Sequence, residues 1–245
     1  MIVLEENESP KLLGKSAPYI ASLEKHGANF TNAYAETHPS QPNYLALFSG
    51  STHGLTSDSC PHNYASANLG SQIIASGRTF TGYAESMPAN GYTGCTSGKF
   101  ARKHTPWIDF TNVPRSDSVK FTQFPKQKFS SLPTISFVTP NLCDDMHDCS
   151  VATGDKWLKA NMSAYAAWAK THNSLLIVTF DEAENGVPNR IPLVVYGQPV
   201  KTGSYAQKVN HYSVLRTIED MYGLACIANS CDAKPLTQAF KSSAN

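Results

Sequence analysis

The segment Thr37-His38-Pro39-Ser40-Gln41-Pro42-Asn43 concentrates hydroxyls, an imidazole and carboxamides in seven residues, then runs into the apolar stretch Tyr44-Leu45-Ala46-Leu47-Phe48. Pro42 suits the first turn of a helix, where its missing N–H costs nothing. Ser40 therefore falls just before a helix N-terminus, where free N–H groups and the helix dipole favour an anion. A hydroxyl nucleophile that must hold a phosphate needs such a place. A plain Ser N-cap on a buried helix accounts for the same residues equally well.

Acids gather where apolar runs end. Met1-Ile2-Val3-Leu4 leads into Glu5-Glu6-Asn7-Glu8, and Ser174-Leu175-Leu176-Ile177-Val178-Thr179-Phe180 leads into Asp181-Glu182. In open α/β sheets ligands bind beyond the carboxyl ends of strands. Carboxylates there are either solvated or paired with a cation, and a solvated acidic loop is the commoner case. Pro133–Pro140 is a further buried strand and delivers the loop Asn141–Cys149, with three Asp and His147. Lys103 and His104 lie in a basic segment with Arg102, for which a solvated turn is the default reading; His211 opens a helical stretch. Oxygen-dominated ligands suit a hard divalent cation. Such an ion touching Ser40 would lower the pKa of its hydroxyl and screen an incoming phosphate.

The elements that must position these groups alternate. A strand over residues 1–4, a helix over 16–26, a strand over 28–34 and the loaded turn entering a helix make a βαβα pattern, which predicts a parallel sheet. Helical spacing recurs at 69–76, at 154–172 (with Trp157, Leu158, Met162, Tyr165 and Trp168 as core) and at 210–221; further strands are expected at 79–83, 174–180 and 191–196. Residues 50–61 and 87–99 read as loop, and 109–128 carry little signal. The chain has 245 residues, with 41% hydrophobic and 16% charged content. That suits one folded domain over 1–245. A net charge of +1, with no dense Lys/Arg stripe, argues against a nucleic-acid surface. The apolar runs are too short to cross a bilayer.

Six cysteines in a Ser/Thr/Asn-rich chain indicate disulfides and an oxidising compartment, secreted or periplasmic; no zinc-type spacing competes. Two pairs are close in sequence, Cys143 with Cys149 and Cys226 with Cys231, which leaves Cys60 with Cys95, one connectivity of the fifteen that six cysteines allow. No leader is visible ahead of the first strand, so a secreted chain is expected to have lost one. Asn29-Phe30-Thr31 and Asn161-Met162-Ser163 are glycosylation sequons, meaningful only in a eukaryotic source.

Taken together, Glu6-Asn7, Thr37–Tyr44, Asp145-Met146-His147-Asp148, Asp181-Glu182 and Asn210–Glu219 resemble the phosphoesterase family, which holds secreted acid phosphatases and phospholipases C within the alkaline phosphatase superfamily. The resemblance runs along nearly the whole chain and is strongest to the small secreted bacterial acid phosphatases. It implies an α/β/α sandwich with a mostly parallel central sheet, and a metal-dependent acid phosphatase that hydrolyses monoesters through a phosphoserine. Ser40 would be the nucleophile, with Thr37 the fallback, and Asn43 would stabilise phosphoryl oxygens. Glu6, Asn7, Ser40, Asp181 and Glu182 would hold one divalent ion, Ca, Mg, Mn or Zn. His147 and His211 match phosphate-pocket histidines, and His38, Lys103 and His104 would contact substrate. The implied substrate is a phosphorylated small molecule, a nucleotide or a phospholipid headgroup such as a phosphoinositide. The rival readings are a phospholipase C-type phosphodiesterase and a non-catalytic extracellular binding domain.

Overall fold

Short β-branched and aromatic runs build an eight-stranded sheet in the computed structural model, which describes residues 1–184 and 188–241. The strands are β1 (Ile2–Glu5), β2 (Ala28–Phe30), β3 (Phe80–Ala84), β4 (Ser118–Lys120), β5 (Ile135–Thr139), β6 (Leu175–Phe180), β7 (Leu193–Gly197) and β8 (Gly203–Tyr205). Their spatial order is β8-β2-β7-β6-β1-β5-β3-β4. β1 lies at the centre, parallel to β5 and β6, and the run continues parallel through β3 to β4. β7 is the exception, antiparallel to both β6 and β2. The sheet is thus mostly parallel. All residues of β1 and β5 are buried, as expected for strands covered on both faces.

Among the described residues, the α-helices of seven residues or more are α1 (Pro18–His26), α2 (Ser40–Ser49), α3 (Leu69–Ala75), α4 (Val151–Ala169) and α5 (His211–Tyr222), and they cover it. α1 packs against α4, while α2 packs against α3 and α5. The side chains that leave the end of β1 divide between these groups. Glu6 meets Ser40 and Tyr44 of α2, and Glu5 lies in the field of Asp155 on α4. Successive residues of a pleated strand face opposite ways, so the two groups form outer layers around the sheet.

All ten residues of α2 are buried. The helix stops at Gly50, whose left-handed φ of 70° lets its N–H bond back to Ala46 O. A Cβ there would lie 2.3 Å from Ile227 O, so glycine is needed twice over. α4 begins earlier than its apolar spacing indicates, because the Ser150 side chain accepts from Thr153 N–H and caps it. α5 starts on a reciprocal box between Asn210 and Ser213.

Several local expectations are corrected. The stretch 28–34 is not one strand: a turn at Thr31-Asn32 breaks it. Ala33–Tyr34 then joins Arg190–Ile191 and Val209–Asn210 in a separate three-stranded sheet. The strands Ser118–Lys120 and Gly203–Tyr205, on the sheet's outer edges, carry no strand-like alternation and were invisible to periodicity. Arg102 is no solvated residue; it is buried and paired with Asp109.

Candidate active site

Backbone register creates the site. Glu5 pairs with Phe180 across β1 and β6, and Asp181 N–H donates to Glu5 O at 3.0 Å. The next residues, Glu6-Asn7 and Asp181-Glu182, therefore emerge side by side at one sheet edge. Asn7 adopts a left-handed φ of 56°, which Asn tolerates better than most residues. Its N–H donates to Asp181 Oδ1 at 3.0 Å and its Nδ2 to Glu6 Oε2 at 3.4 Å.

Ser40 enters this edge from α2. It is the first helical residue, not the residue before the helix, and Pro39 takes the N-cap position without a side-chain bond. The Ser40 hydroxyl donates to Glu6 Oε2 at 3.0 Å and lies 3.5 Å from Glu182 Oε1. It caps nothing, so a capping role does not explain it. Asn43 is occupied by the preceding turn: Oδ1 accepts from the N–H groups of Glu36 and Thr37, and Nδ2 donates to Thr37 O and Pro39 O.

Glu6 faces two ways. Its other oxygen, Oε1, accepts from Tyr44 OH and lies 3.1 Å from His104 Nε2. Tyr44 stacks on the His104 ring at 5.0 Å and 7°. On its far side His104 Nδ1 is 3.1 Å from Asp145 Oδ2. Asp145 is held by Glu6 N–H donating to its carbonyl at 2.9 Å and by His147 N–H on its carboxylate at 2.8 Å. The Cys143–Cys149 disulfide closes that loop. Glu6, His104 and Asp145 are all buried, and among the described residues their donor atoms lie within 4.8 Å of one another, close enough to share an ion.

At the rim, Lys103 Nζ donates to Asp58 Oδ2 at 2.8 Å and lies 3.3 Å from His147 Nε2. His147 is part-exposed and its Nδ1 meets Asp148 Oδ1 at 2.7 Å. His38 Nδ1 sits 2.6 Å from Glu182 Oε2. His211 is apart from this rim, fully buried, with Nε2 bonded to Phe180 O at 2.9 Å.

The electrostatics are those of buried like charges. Burial, then Asp181 and Asp145, hold Glu6 well above the ordinary carboxylate range. Burial and then Glu182 push Asp181 up to about 7; burial and then Asp58 do the same to Glu182. Burial alone accounts for most of the rise of Asp145 to about 7. Burial lowers Lys103, but Asp58, Glu6 and Asp181 outweigh it and leave its ammonium strengthened. Burial, then Lys103 and His147, drive His104 well below its usual value, so it is neutral. Among the described residues Asp181 Oδ2 has no hydrogen-bond partner, and His38 Nδ1 approaches Glu182 Oε2, as His104 Nε2 approaches Glu6, without hydrogen-bond alignment. Buried acceptors without donors are costly unless a cation meets them. The donor chemistry, carboxylates with one hydroxyl, one amide and one imidazole, fits a divalent ion.

Of the expected residues, the structure gathers Glu6, Asn7, Ser40, Asp181, Glu182, His38, Lys103, His104 and His147 around one edge. Asn43 lies behind the turn and His211 beneath it. Asp145 and Asp58 belong to the site although neither was singled out. Asp145 stood in a noted motif, whereas Asp58 lies in a Ser-rich loop with no pattern to mark it. The expected disulfides Cys60–Cys95, Cys143–Cys149 and Cys226–Cys231 are all present. Among the described residues no helix is long and apolar enough to cross a membrane.

The mostly parallel sheet, with a hydroxyl and clustered acids at its carboxyl edge, has the fold of solved proteins of the alkaline phosphatase superfamily. A superfamily protein from Vibrio parahaemolyticus superposes with a TM-score of 0.64 over 96% of this chain and 69% of its own, at 14% identity. More closely, the Phosphoesterase family model matches residues 11–225, and the chain belongs to that family. It is 53% identical over 241 residues to a phosphatidylinositol-3-phosphatase of Mycobacterium tuberculosis, covering 97% of this chain and 81% of the relative. A phosphate-repressible acid phosphatase of Penicillium chrysogenum is 29% identical over 89% of this chain, which spans 57% of that fungal protein.

Proposed function

We propose that this protein is a phosphoric monoester hydrolase that works through a phosphoserine formed on Ser40. The observation that carries the reading is the Ser40 hydroxyl itself. It sits at a helix N-terminus, caps nothing, and donates to a buried carboxylate at 3.0 Å. In the first step Ser40 Oγ attacks phosphorus, its proton passes to the adjoining carboxylates, and the ester P–O bond breaks. His147, part-exposed at the rim, supplies a proton to the departing alkoxide. Water then cleaves the Ser40–phosphate bond, releasing inorganic phosphate and restoring the hydroxyl. Lys103 and the α2 N–H groups offset charge on the phosphoryl oxygens. Asn43 keeps the turn rigid, and His211 supports the end of β6.

Glu6, Asn7, Ser40, Asp181 and Glu182 would hold one divalent ion, with His104 and Asp145 on the other face of Glu6. When bound, that ion lowers the pKa of the serine hydroxyl and screens the phosphate. The relative named as a phosphatidylinositol-3-phosphatase makes an inositol phosphate headgroup the substrate class to test first. Three disulfides support a protein that works outside the cytosol.

The test compares an aryl monophosphate, a water-soluble phosphatidylinositol 3-phosphate and an aryl phosphodiester with wild type and Ser40→Ala. Hydrolysis of the monoesters, lost by at least about a thousandfold in a folded Ser40→Ala protein, is the expected result. Turnover confined to the diester, or full turnover without Ser40, would refute it.

A further inference from the structure

We propose that Gln41 N–H and Lys103 Nζ form the subsite for two phosphoryl oxygens beside Ser40, and that the Asp58 carboxylate is the resident anion a substrate must displace. The inference rests on Ser40 as the site of phosphoryl transfer. Gln41 follows the nucleophile directly and lies in the first turn of α2, where N–H groups have no intrahelical acceptor. Its N–H donates to Asp58 Oδ1 at 2.9 Å, while Lys103 Nζ donates to Asp58 Oδ2 at 2.8 Å. Two oxygens on one centre, one on a helix amide and one on an ammonium, are also what a phosphoryl group would present there.

Both donors are fixed by one buried support. Gln41 Nε2 donates to Asp109 Oδ2 at 3.3 Å, and Asp109 is gripped by Arg102, the neighbour of Lys103 in sequence. Asp58, in contrast, lies in irregular chain and has a side chain 28% exposed, so it can leave into water. What holds it are the two donors. A monoester dianion brings two charges to compete for them and a diester anion only one, so Asp58 favours monoesters.

Calorimetric binding of inorganic phosphate to the metal-loaded protein tests this without turnover. Asp58→Asn, and Asp58→Ser as a second variant should the first fail to fold, are expected to bind phosphate at least about tenfold more tightly. Adding Lys103→Met should abolish that gain. The kcat/KM for an aryl diester should rise more than that for the matching monoester. Unchanged or weaker phosphate binding would overturn the proposal and leave Asp58 as a residue that merely positions Lys103. That outcome would not touch the role of Ser40, which stands or falls on Ser40→Ala turnover.

Discussion

Arg102 is the residue whose loss should reach furthest. It is 3% exposed, and its guanidinium donates to Asp109 Oδ1 at 2.9 Å, Thr93 O at 2.7 Å and His62 O at 2.7 Å. It thereby ties together the chain on either side of Cys60–Cys95 and the support beneath Gln41. Arg102→Met strands a carboxylate that is 1% exposed together with two carbonyls. Breaking a buried pair from one side costs about 3–5 kcal/mol. At this chain length that corresponds to a melting temperature lowered by roughly 6–20 °C. Burial outweighs the pull of Arg102 and leaves the Asp109 pKa raised, so the orphaned acid can take up a proton. The loss should therefore be smaller at pH 5 than at pH 8. Arg102→Lys keeps the charge but not the fork and should rescue little. Urea unfolding with disulfides intact measures the loss, and Arg102→Met/Asp109→Leu should recover much of it by removing the unpaired charge. A loss below about 1 kcal/mol, or a double variant no more stable than the single, would refute this account.

Chelation should lower the melting temperature, and a re-added divalent ion at a hundred times its Kd should restore about 3 kcal/mol of stability; indifference of both stability and turnover to chelator would dismiss the ion. Burial holds the His211 pKa at about 4 against an ordinary 6.5. Between those values the unfolded chain binds a proton that the folded chain excludes, so His211 reduces stability as pH falls through this window, by up to roughly 3 kcal/mol. His211→Gln should flatten that limb of a melting-temperature profile, and an unaltered slope would count against the assignment. Gly82 in β3 packs under Trp107, where an added Cβ would come within 2.1 Å of the indole. Gly82→Ala should cost about 2–3 kcal/mol in urea unfolding and shift tryptophan emission, and an unchanged stability would refute the contact.

The central strands and the acids at their ends were legible because burial demands continuous apolar runs, and an acid closing such a run stands out. Glu6 and Asp181 could be placed at one edge for that reason. The alternatives for Ser40 could not be separated by sequence, since a cap and a nucleophile use the same residue at the same turn. Its bond to Glu6, 34 positions away, and the absence of a side-chain cap at the helix start support the proposed nucleophile. The surroundings of Arg102, Asp58 and Asp145 were hidden for a related reason. Each acts through partners brought together by irregular loops, where no periodicity reports which side is inside. The short outer strands β4 and β8 take their structure from a neighbour's open edge, not from their own side chains.

Because α2 has no exposed face, the proposed nucleophile rides on a piece of the core. Almost any change along that helix disturbs packing, so the reactive centre is a poor place for variation to accumulate. The loops that surround it are different. The segments bearing Asp58, Lys103 and His147 lie outside the eight-stranded sheet, and two of the three disulfides anchor them. Their sequences can diverge while the anchors hold their ends in place. A scaffold divided in this way can acquire new leaving-group preferences by loop exchange alone, with its chemistry inherited unchanged.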